Sequence, residues 1–493
     1  MNPSILIISF LLAFFFSIIL KKEKTVKLSN LFFSLLGGLS FIVYAVIFLF
    51  SSRDKWISSW WMMDNFSALM IILIACIYIF SIIVSVRYIG HEYEEKIITL
   101  AQYKMYFALF QLFALCMFLV VITNNSLVLW LMMEGTTLSS TFLVGLYRKK
   151  TSIEAAWKYM ILCSTGISLG LAGILLLSYG AHMGGLEESH IFLLSSLAEN
   201  AGLIPQNIIR LAFVFLFIGF GTKAGLAPMH TWLPDAHSKA PSPVSAIFSA
   251  VLLNVALYAI LRFKFIVDSA FLDSVWTNHL FLIFGFSSII LSALMMLIQT
   301  NYKRMLAYSS IEHMGIILFS LGLSPLGAVA GVMHMIGHTF AKSALFFGAG
   351  EILIQWKTTK IAKIKNMLKY SKYTGVLFIL GIVAIIAIPP SALFISEFGM
   401  FAQSIAAYPI TSIILFIALG IIAYAMLSLS IKMIFNVEEE NNGEFKTQKE
   451  KWNITHSIIV FEFIILIGLA FWFTTANAEI LIDKIVKSFL FIK

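Results

Sequence analysis

Apolar residues gather along this chain into runs of roughly the 20 residues that a helix needs to cross a bilayer, with short polar turns between them. In lipid a backbone must satisfy its own hydrogen bonds, and a barrel would need shorter, alternating segments, so the pattern predicts helices. The windows fall near Pro3–Leu20, Leu31–Phe50, Phe66–Tyr88, Tyr106–Ile122, Ser126–Leu146, Ala156–Tyr179, Leu211–Thr231, Pro243–Phe263, Leu280–Ile298, Leu306–Leu321, Leu326–Gly348, Thr374–Phe401, Ile410–Ser430 and Ile454–Phe473. The expected fold class is an all-α polytopic membrane protein with about 14 transmembrane helices, of which the windows at Leu211 and Thr374 are interrupted.

The polar segments set an orientation. Met1–Leu20 runs straight into Lys21–Lys22–Glu23–Lys24 with no basic leader or small-residue cleavage site, which reads as a retained first span. The loops after odd-numbered spans hold 24 Lys and Arg, against 8 on the opposite side and its span ends, which puts the odd loops in the cytoplasm and both termini outside. Loop Glu438–Lys451 reads as a solvated cytoplasmic segment, and Ala181–Asn207, nearly free of basic residues, as an outside loop. The tail from Ala476 mixes Ile480, Leu481, Ile485, Leu490 and Phe491 with Glu479, Asp483, Lys484 and Lys487, the pattern of a short interfacial amphipathic helix or a partner contact.

Composition agrees and narrows the function. The 493 residues are 60% hydrophobic and 12% charged, with a mean hydropathy of +0.93, which excludes a soluble domain. The net charge of +9 is spread over loops and not collected on one face, so no nucleic-acid partner is implied. Cys76, Cys116 and Cys163 lie in three separate apolar runs without metal-ligand spacing and read as small core residues. With no nucleotide fingerprint either, no cofactor is expected, and the electrons of any coupled redox reaction run through another subunit.

Ionisable residues inside apolar spans carry the functional argument, because each costs a few kcal/mol and persists mostly where it faces other helices, water or a partner. Between Lys104 and Arg148 the only Asp, Glu, Lys, Arg or His is Glu134, near the centre of its window; its structural alternative is a carboxyl tied to Thr136 or Thr137. Lys223 stands just before Ala224–Gly225–Leu226–Ala227–Pro228, where the helix should break and free carbonyls for a cation and waters; the alternative is a side chain reaching for the interface. Glu397 is alone between Lys372 and Lys432 and follows Pro389–Pro390; its alternative is a carboxyl near a span end. Two interrupted spans, each with one charge, suggest the internal symmetry of transporters.

His334, His338 and Lys342 recur every four residues, so they share one helix face, and imidazole exchanges protons near neutral pH. Zinc is the rival use of the two histidines, but with no nearby cysteine and no evident third ligand, no metal is expected. His230–Thr231–Trp232–Leu233–Pro234–Asp235–Ala236–His237 is polar enough to line a cytoplasmic access path, or to cap the broken span, and Pro234 with Pro241 and Pro243 should hold it irregular. Glu312 and His313, beside Tyr308–Ser309–Ser310 and near a span end, form a further candidate group.

The stretch from Lys223 to His237, continued through Ala240–Pro241–Ser242–Pro243–Val244–Ser245–Ala246, resembles the antiporter-like proton-pumping membrane subunits of respiratory complex I and membrane-bound hydrogenases. Lys303–Arg304–Met305–Leu306–Ala307–Tyr308–Ser309–Ser310–Ile311–Glu312–His313–Met314–Gly315 and the His334, His338, Lys342 stripe look like the same family. The resemblance covers the chain roughly from span three to span thirteen. It implies two inverted five-helix units with helices seven and twelve broken, an N-terminal three-helix segment over 1–103, units over 104–265 and 279–433, and a C-terminal helix and tail over 452–493. It further implies that Glu134 pairs with Lys223, that His334, His338 and Lys342 form the central route, and that Glu397 is the exit-side charge. A peripheral redox arm would then act by changing the Glu134–Lys223 interaction. Where many complex I members place a lysine on span eight, this chain has Asn254, which can hold water but not take up a proton; Leu253–Asn254–Val255–Ala256–Leu257–Tyr258 is similar to the hydrogenase-4 component F type.

These observations lead to the expectation of a proton-translocating subunit of a hydrogenase-like or complex I-like oxidoreductase, multi-pass in a bacterial or archaeal cytoplasmic (inner) membrane, with other membrane subunits and a peripheral redox arm as partners. A sodium or potassium/proton antiporter subunit, and a membrane anchor such as the partner of an inorganic-carbon-uptake complex, are the alternatives.

Overall fold

The computed structural model of the chain describes residues 4–51, 53–435 and 450–490. Most of the acidic loop, 438–449, and Phe491 of the tail lie outside the described residues. Helices α1 (Ser4–Ile19) and α2 (Glu23–Leu49) lead into a short antiparallel hairpin of β1 (Lys55–Ile57) and β2 (Met62–Asp64). Next come α3 (Asn65–Glu94), α4 (Leu100–Ile122), α5 (Ser126–Val144), α6 (Lys150–Met183), the short α7 (Leu194–Glu199) and α8 (Gln206–Lys223). After a break follow α9 (Trp232–Lys239), α10 (Ser242–Ile247), a π-helical turn over Phe248–Leu252, α11 (Leu253–Phe271), α12 (Val275–Met296), α13 (Tyr302–Leu323) and α14 (Pro325–Trp356). The chain continues through α15 (Met367–Tyr370), α16 (Lys372–Ile385), α17 (Ala392–Ala407), α18 (Pro409–Phe435), α19 (Ile454–Phe473) and α20 (Ala476–Lys487). Among the described residues ten helices are long and apolar enough to cross a membrane, and shorter apolar helices accompany them.

Helix starts follow local capping chemistry. Asn125, Asn301 and Asn453 each accept two backbone N–H groups at the starts of α5, α13 and α19, and Ser324 caps α14 with Pro325 in its first turn. The helices differ in what they face. Every residue in the apolar window of Ser242–Phe271 is buried, and α13 is nearly so, whereas α2 and α18 present Phe32, Val43, Ile47, Ile413 and Phe416 outward as a lipid-facing or partner-facing surface. Glycines bring α6 and α8 into backbone contact: a Cβ on Gly219 would lie 2.5 Å from the Gly170 nitrogen and 2.7 Å from the Gly166 oxygen.

Three expectations need correction. Residues 232–239 are helical and not irregular, because Pro234 sits in the first turn of α9, where its missing N–H has no helical partner to lose. Glu312 and His313 lie at the middle of α13, not near its end, since the helix begins at Tyr302 under the Asn301 cap. The loop expected over Ala181–Asn207 is shorter than the sequence suggests, because α6 runs on to Met183 and α7 follows. The tail does form a short amphipathic helix, α20, which buries Ala478, Ile482, Ile485 and Val486, and beyond it Phe489 meets Phe66 at 4.4 Å between ring centres. Both interrupted windows do break: α8 ends at Lys223, and α16 and α17 flank 386–391.

Candidate functional site

Lys223 occupies the last turn of α8 and is fully buried. Its ammonium donates to Thr137 Oγ1 at 2.9 Å and Tyr159 OH at 2.7 Å and lies 4.9 Å from the centre of the Tyr159 ring. Glu134 sits one turn before Thr137 on α5, half-buried, and takes its hydrogen bond from Ser164 Oγ at 2.6 Å, not from Thr136 or Thr137. The direct Glu134–Lys223 pair is therefore not formed: among the described residues Lys223 has no salt bridge, and hydroxyls from α5 and α6 stand where the carboxylate was expected. Burial also excludes the reading in which Lys223 reaches for the interface. Tyr159, joined in turn to Ser140 Oγ at 2.8 Å, carries no charge to mark it in the sequence, and a tyrosine reads as apolar in a hydropathy window.

A second group of polar side chains lies at and beyond the π-helical turn. Ser249 Oγ meets Ser310 Oγ at 2.7 Å, joining that turn to α13. Asn254, one turn on, donates to Ala250 O at 2.8 Å and to Thr339 Oγ1 at 3.2 Å, so it ties α11 to α14, and its Oδ1 has no partner among the described residues. His230, in the break between α8 and α9, is buried with Nδ1 unpartnered among the described residues and its ring 6.3 Å from that of Tyr308. His237 stacks on Phe346 at 4.8 Å.

The α14 stripe faces α13. Lys342 donates to Leu306 O at 2.9 Å; the His338 ring lies 5.1 Å from that of His313; and His334 Nε2 meets His313 Nδ1 at 2.8 Å. All four side chains are fully buried. His334 turns its other nitrogen to Ser396 Oγ on α17 at 3.0 Å, beside Glu397, and the ligand atoms of His313, His334 and Glu397 all lie within 4.8 Å of one another. Glu397 is thus no span-end carboxyl: it sits on α17, just beyond the break, against the histidine stripe.

Buried polar atoms normally find partners, and water supplies those the protein does not. Here Glu134 Oε2, Asn254 Oδ1, Glu312 Oε2, His313 Nε2 and both His338 nitrogens have no protein partner among the described residues, which makes these groups receptive to water. One further buried carboxyl lies beside the stripe. Glu462 on α19 is fully buried and accepts a hydrogen bond from Ser343, the neighbour of Lys342; the rule that singled out Glu397, an isolated carboxyl in an apolar span, selects Glu462 as well.

The sequence matches the family described as "NADH:quinone oxidoreductase/Mrp antiporter, TM" over residues 123–423, which spans every one of these residues except Glu462. A hydrogenase-4 component F homolog of Methylacidiphilum infernorum is 35% identical over 418 residues, covering 85% of this chain and 86% of the relative. Hydrogenase-4 component B of Escherichia coli is 30% identical over 380 residues, 75% of this chain and 54% of that protein. Among solved structures, a chain of an archaeal membrane-bound sulfane sulfur reductase superposes over 99% of both chains with a TM-score of 0.83 at 23% identity. A chain of the Mrp complex from Dietzia sp. superposes over 99% of this chain and 97% of that one with a TM-score of 0.81 at 16% identity. With its matched region covering more than half its length, this chain is a member of the NADH:quinone oxidoreductase/Mrp antiporter membrane family.

Proposed function

We propose that the chain is a proton-translocating membrane subunit of a hydrogenase-like or complex I-like oxidoreductase, with no electron-transfer chemistry of its own. One observation carries the reading: Lys342, His338, His313 and His334 are buried in one cluster that reaches Glu397, and Lys223 is buried on the hydroxyls of Thr137 and Tyr159, one turn from Glu134. Groups that can gain and lose protons, set among hydroxyls and unpartnered polar atoms that water can bridge, are suited to carrying protons. The helix breaks after Lys223 and before Glu397 free backbone carbonyls, as discontinuous helices do in transporters.

In this reading Glu134 governs Lys223 through Thr137, Tyr159 and bridging water, and a conformational change in a neighbouring subunit alters how firmly Lys223 holds its proton. The proton then passes by way of Asn254 and its water to Lys342, with Glu312 beside it, and on through the histidines to Glu397, while His230 serves the cytoplasmic access side. The two units run over 104–265 and 279–433 as an inverted pair within a fourteen-span bundle, both termini lie outside, and a peripheral redox arm supplies the drive. The relatives, as hydrogenase components, support membrane partners of that kind. The family description also names an antiporter, which keeps sodium or potassium/proton exchange as the second reading.

The test is redox-driven ion flux by the assembled complex in vesicles, for wild type, Glu134→Gln and Lys223→Ala. Proton flux should fall on the order of 10²-fold in both variants, the effect of removing a positioned proton-transfer group, and wild-type flux should persist without sodium or potassium. Full proton flux in both variants would overturn the assignment, and strict dependence on sodium or potassium would favour the antiporter.

A further inference from the structure

Where α13, α14 and α17 meet, the cluster contains a set of donors suited to more than protons. We propose that His313 Nδ1, His334 Nε2 and a carboxylate oxygen of Glu397 form a binding site for a divalent transition ion of the zinc class. The three ligand atoms come from three helices and lie within 4.8 Å of one another. Two imidazoles and one carboxylate, with a fourth position left to water, form a common zinc donor set, whereas sodium, magnesium and calcium prefer oxygen throughout. In the sequence alone, His334 and His338 have no evident third ligand. The fold supplies two others from elsewhere in the chain, and His338 is not among the three.

Two details show a site whose ligands are already oriented. Ser396 Oγ donates to Leu393 O at 2.9 Å, so its lone pair is left to receive His334 Nδ1–H at 3.0 Å. That fixes the His334 tautomer with the Nε2 lone pair aimed into the site, the outer hydrogen bond that metal-ligating histidines usually make. His313 has an alternative place for its proton. Its Nε2 has no hydrogen-bond partner among the described residues and lies 4.0 Å from Glu312 Oε2, itself unpartnered. On ion binding the Nδ1 proton leaves, Nε2 takes up one proton facing Glu312, and the Nδ1 lone pair joins the ion; no electrons move. Glu397 in contact and Glu312 behind His313 together offset the double charge, as a buried ion requires.

The fit needs only a small adjustment. Two nitrogens on one tetrahedral zinc sit about 3.3 Å apart, and here they are 2.8 Å apart across a hydrogen bond. Glu397 is half-buried and is the least enclosed of the three ligands. Binding would replace the His313–His334 hydrogen bond and interrupt the path. That consequence rests on the proton-path reading; the binding itself does not.

The experiment equilibrates the purified, assembled complex with buffered zinc and measures bound zinc, its dissociation constant and its K-edge X-ray absorption. Wild type should hold one zinc more per complex than His313→Gln, His334→Gln or Glu397→Gln, with imidazole scattering that disappears in the two histidine variants. Ser396→Ala keeps every ligand and should bind about 10- to 100-fold more weakly. Equal zinc content and affinity in wild type and all four variants would overturn the site. Redox-driven proton flux of wild type with and without zinc is read separately. If zinc binds as described and flux is untouched, the site stands and the proton route through His313 and His334 falls.

Discussion

Lys223 has three N–H groups to satisfy in a region without bulk water, and two of them go to Thr137 and Tyr159. A hydrogen bond to a charged group contributes about 1.5–3 kcal/mol, so Tyr159 is a part of the site that charge-guided reading misses. Tyr159→Phe should leave the fold intact and lower redox-driven proton flux on the order of tenfold, measured in vesicles against the amount of assembled complex; unchanged flux would remove Tyr159 from the account. The residues legible in the sequence were those whose charge is anomalous in an apolar run: Glu134, Lys223, Glu397 and the α14 stripe. What the sequence could not show was the wiring between them. The hydroxyls of Thr137, Ser164 and Ser396 look like ordinary membrane-helix residues, and the meeting of His313 with His334 depends on how α13 packs against α14. Glu462 differs, since it was as visible as Glu397.

At the scale of elements, the two breaks were readable because proline chemistry acts locally, whereas several helices run a turn or more beyond their apolar windows. The helix of residues 232–239 was missed because a proline within the first turn looks the same in sequence as one that ends a helix. The close contact of α6 with α8 depends on Gly166, Gly170 and Gly219, and Gly219→Ala drives a methyl into two backbone atoms. It should cost about 1–3 kcal/mol and lower the melting temperature of the purified protein. Gly420→Ala, whose methyl meets nothing, should leave it unchanged.

A second junction responds to acid. Glu450, just before α19, is half-buried, which pushes its carboxyl up, but the hydrogen bonds from His456, from the Thr374 hydroxyl and from the Tyr373 N–H outweigh this and hold it below its ordinary value. It thereby ties the start of α16 to α19. A carboxyl held low in the fold contributes fully above its unfolded value of 4.5 and loses that contribution as the pH falls through the lowered one. Thermal melts taken from neutral to acid pH should therefore show a shallower acid loss in Glu450→Gln than in wild type; parallel curves would contradict the junction.

For the whole molecule, the basic residues of the loops and the buried charges of the site do different work. Two of the eight basic residues assigned to the outside do not face solvent at all: Arg262 is held by Asp64 through two hydrogen bonds, and Lys264 by Asp268, both pairs buried. Removing them makes the loop asymmetry steeper, in favour of the proposed orientation. The fold class was readable because the bilayer dictates it. The contacts that hold Lys223 on Thr137 and Tyr159, and His313 on His334, were not, because they join helices far apart in sequence. Lys342 tests the proposed proton path most directly, with its ammonium on Leu306 O. In assembled complex reconstituted into vesicles, Lys342→Met keeps the length of the side chain and removes the proton carrier. Redox-driven proton flux should fall on the order of 10²-fold while the complex remains assembled; flux equal to wild type in an assembled complex would contradict the account.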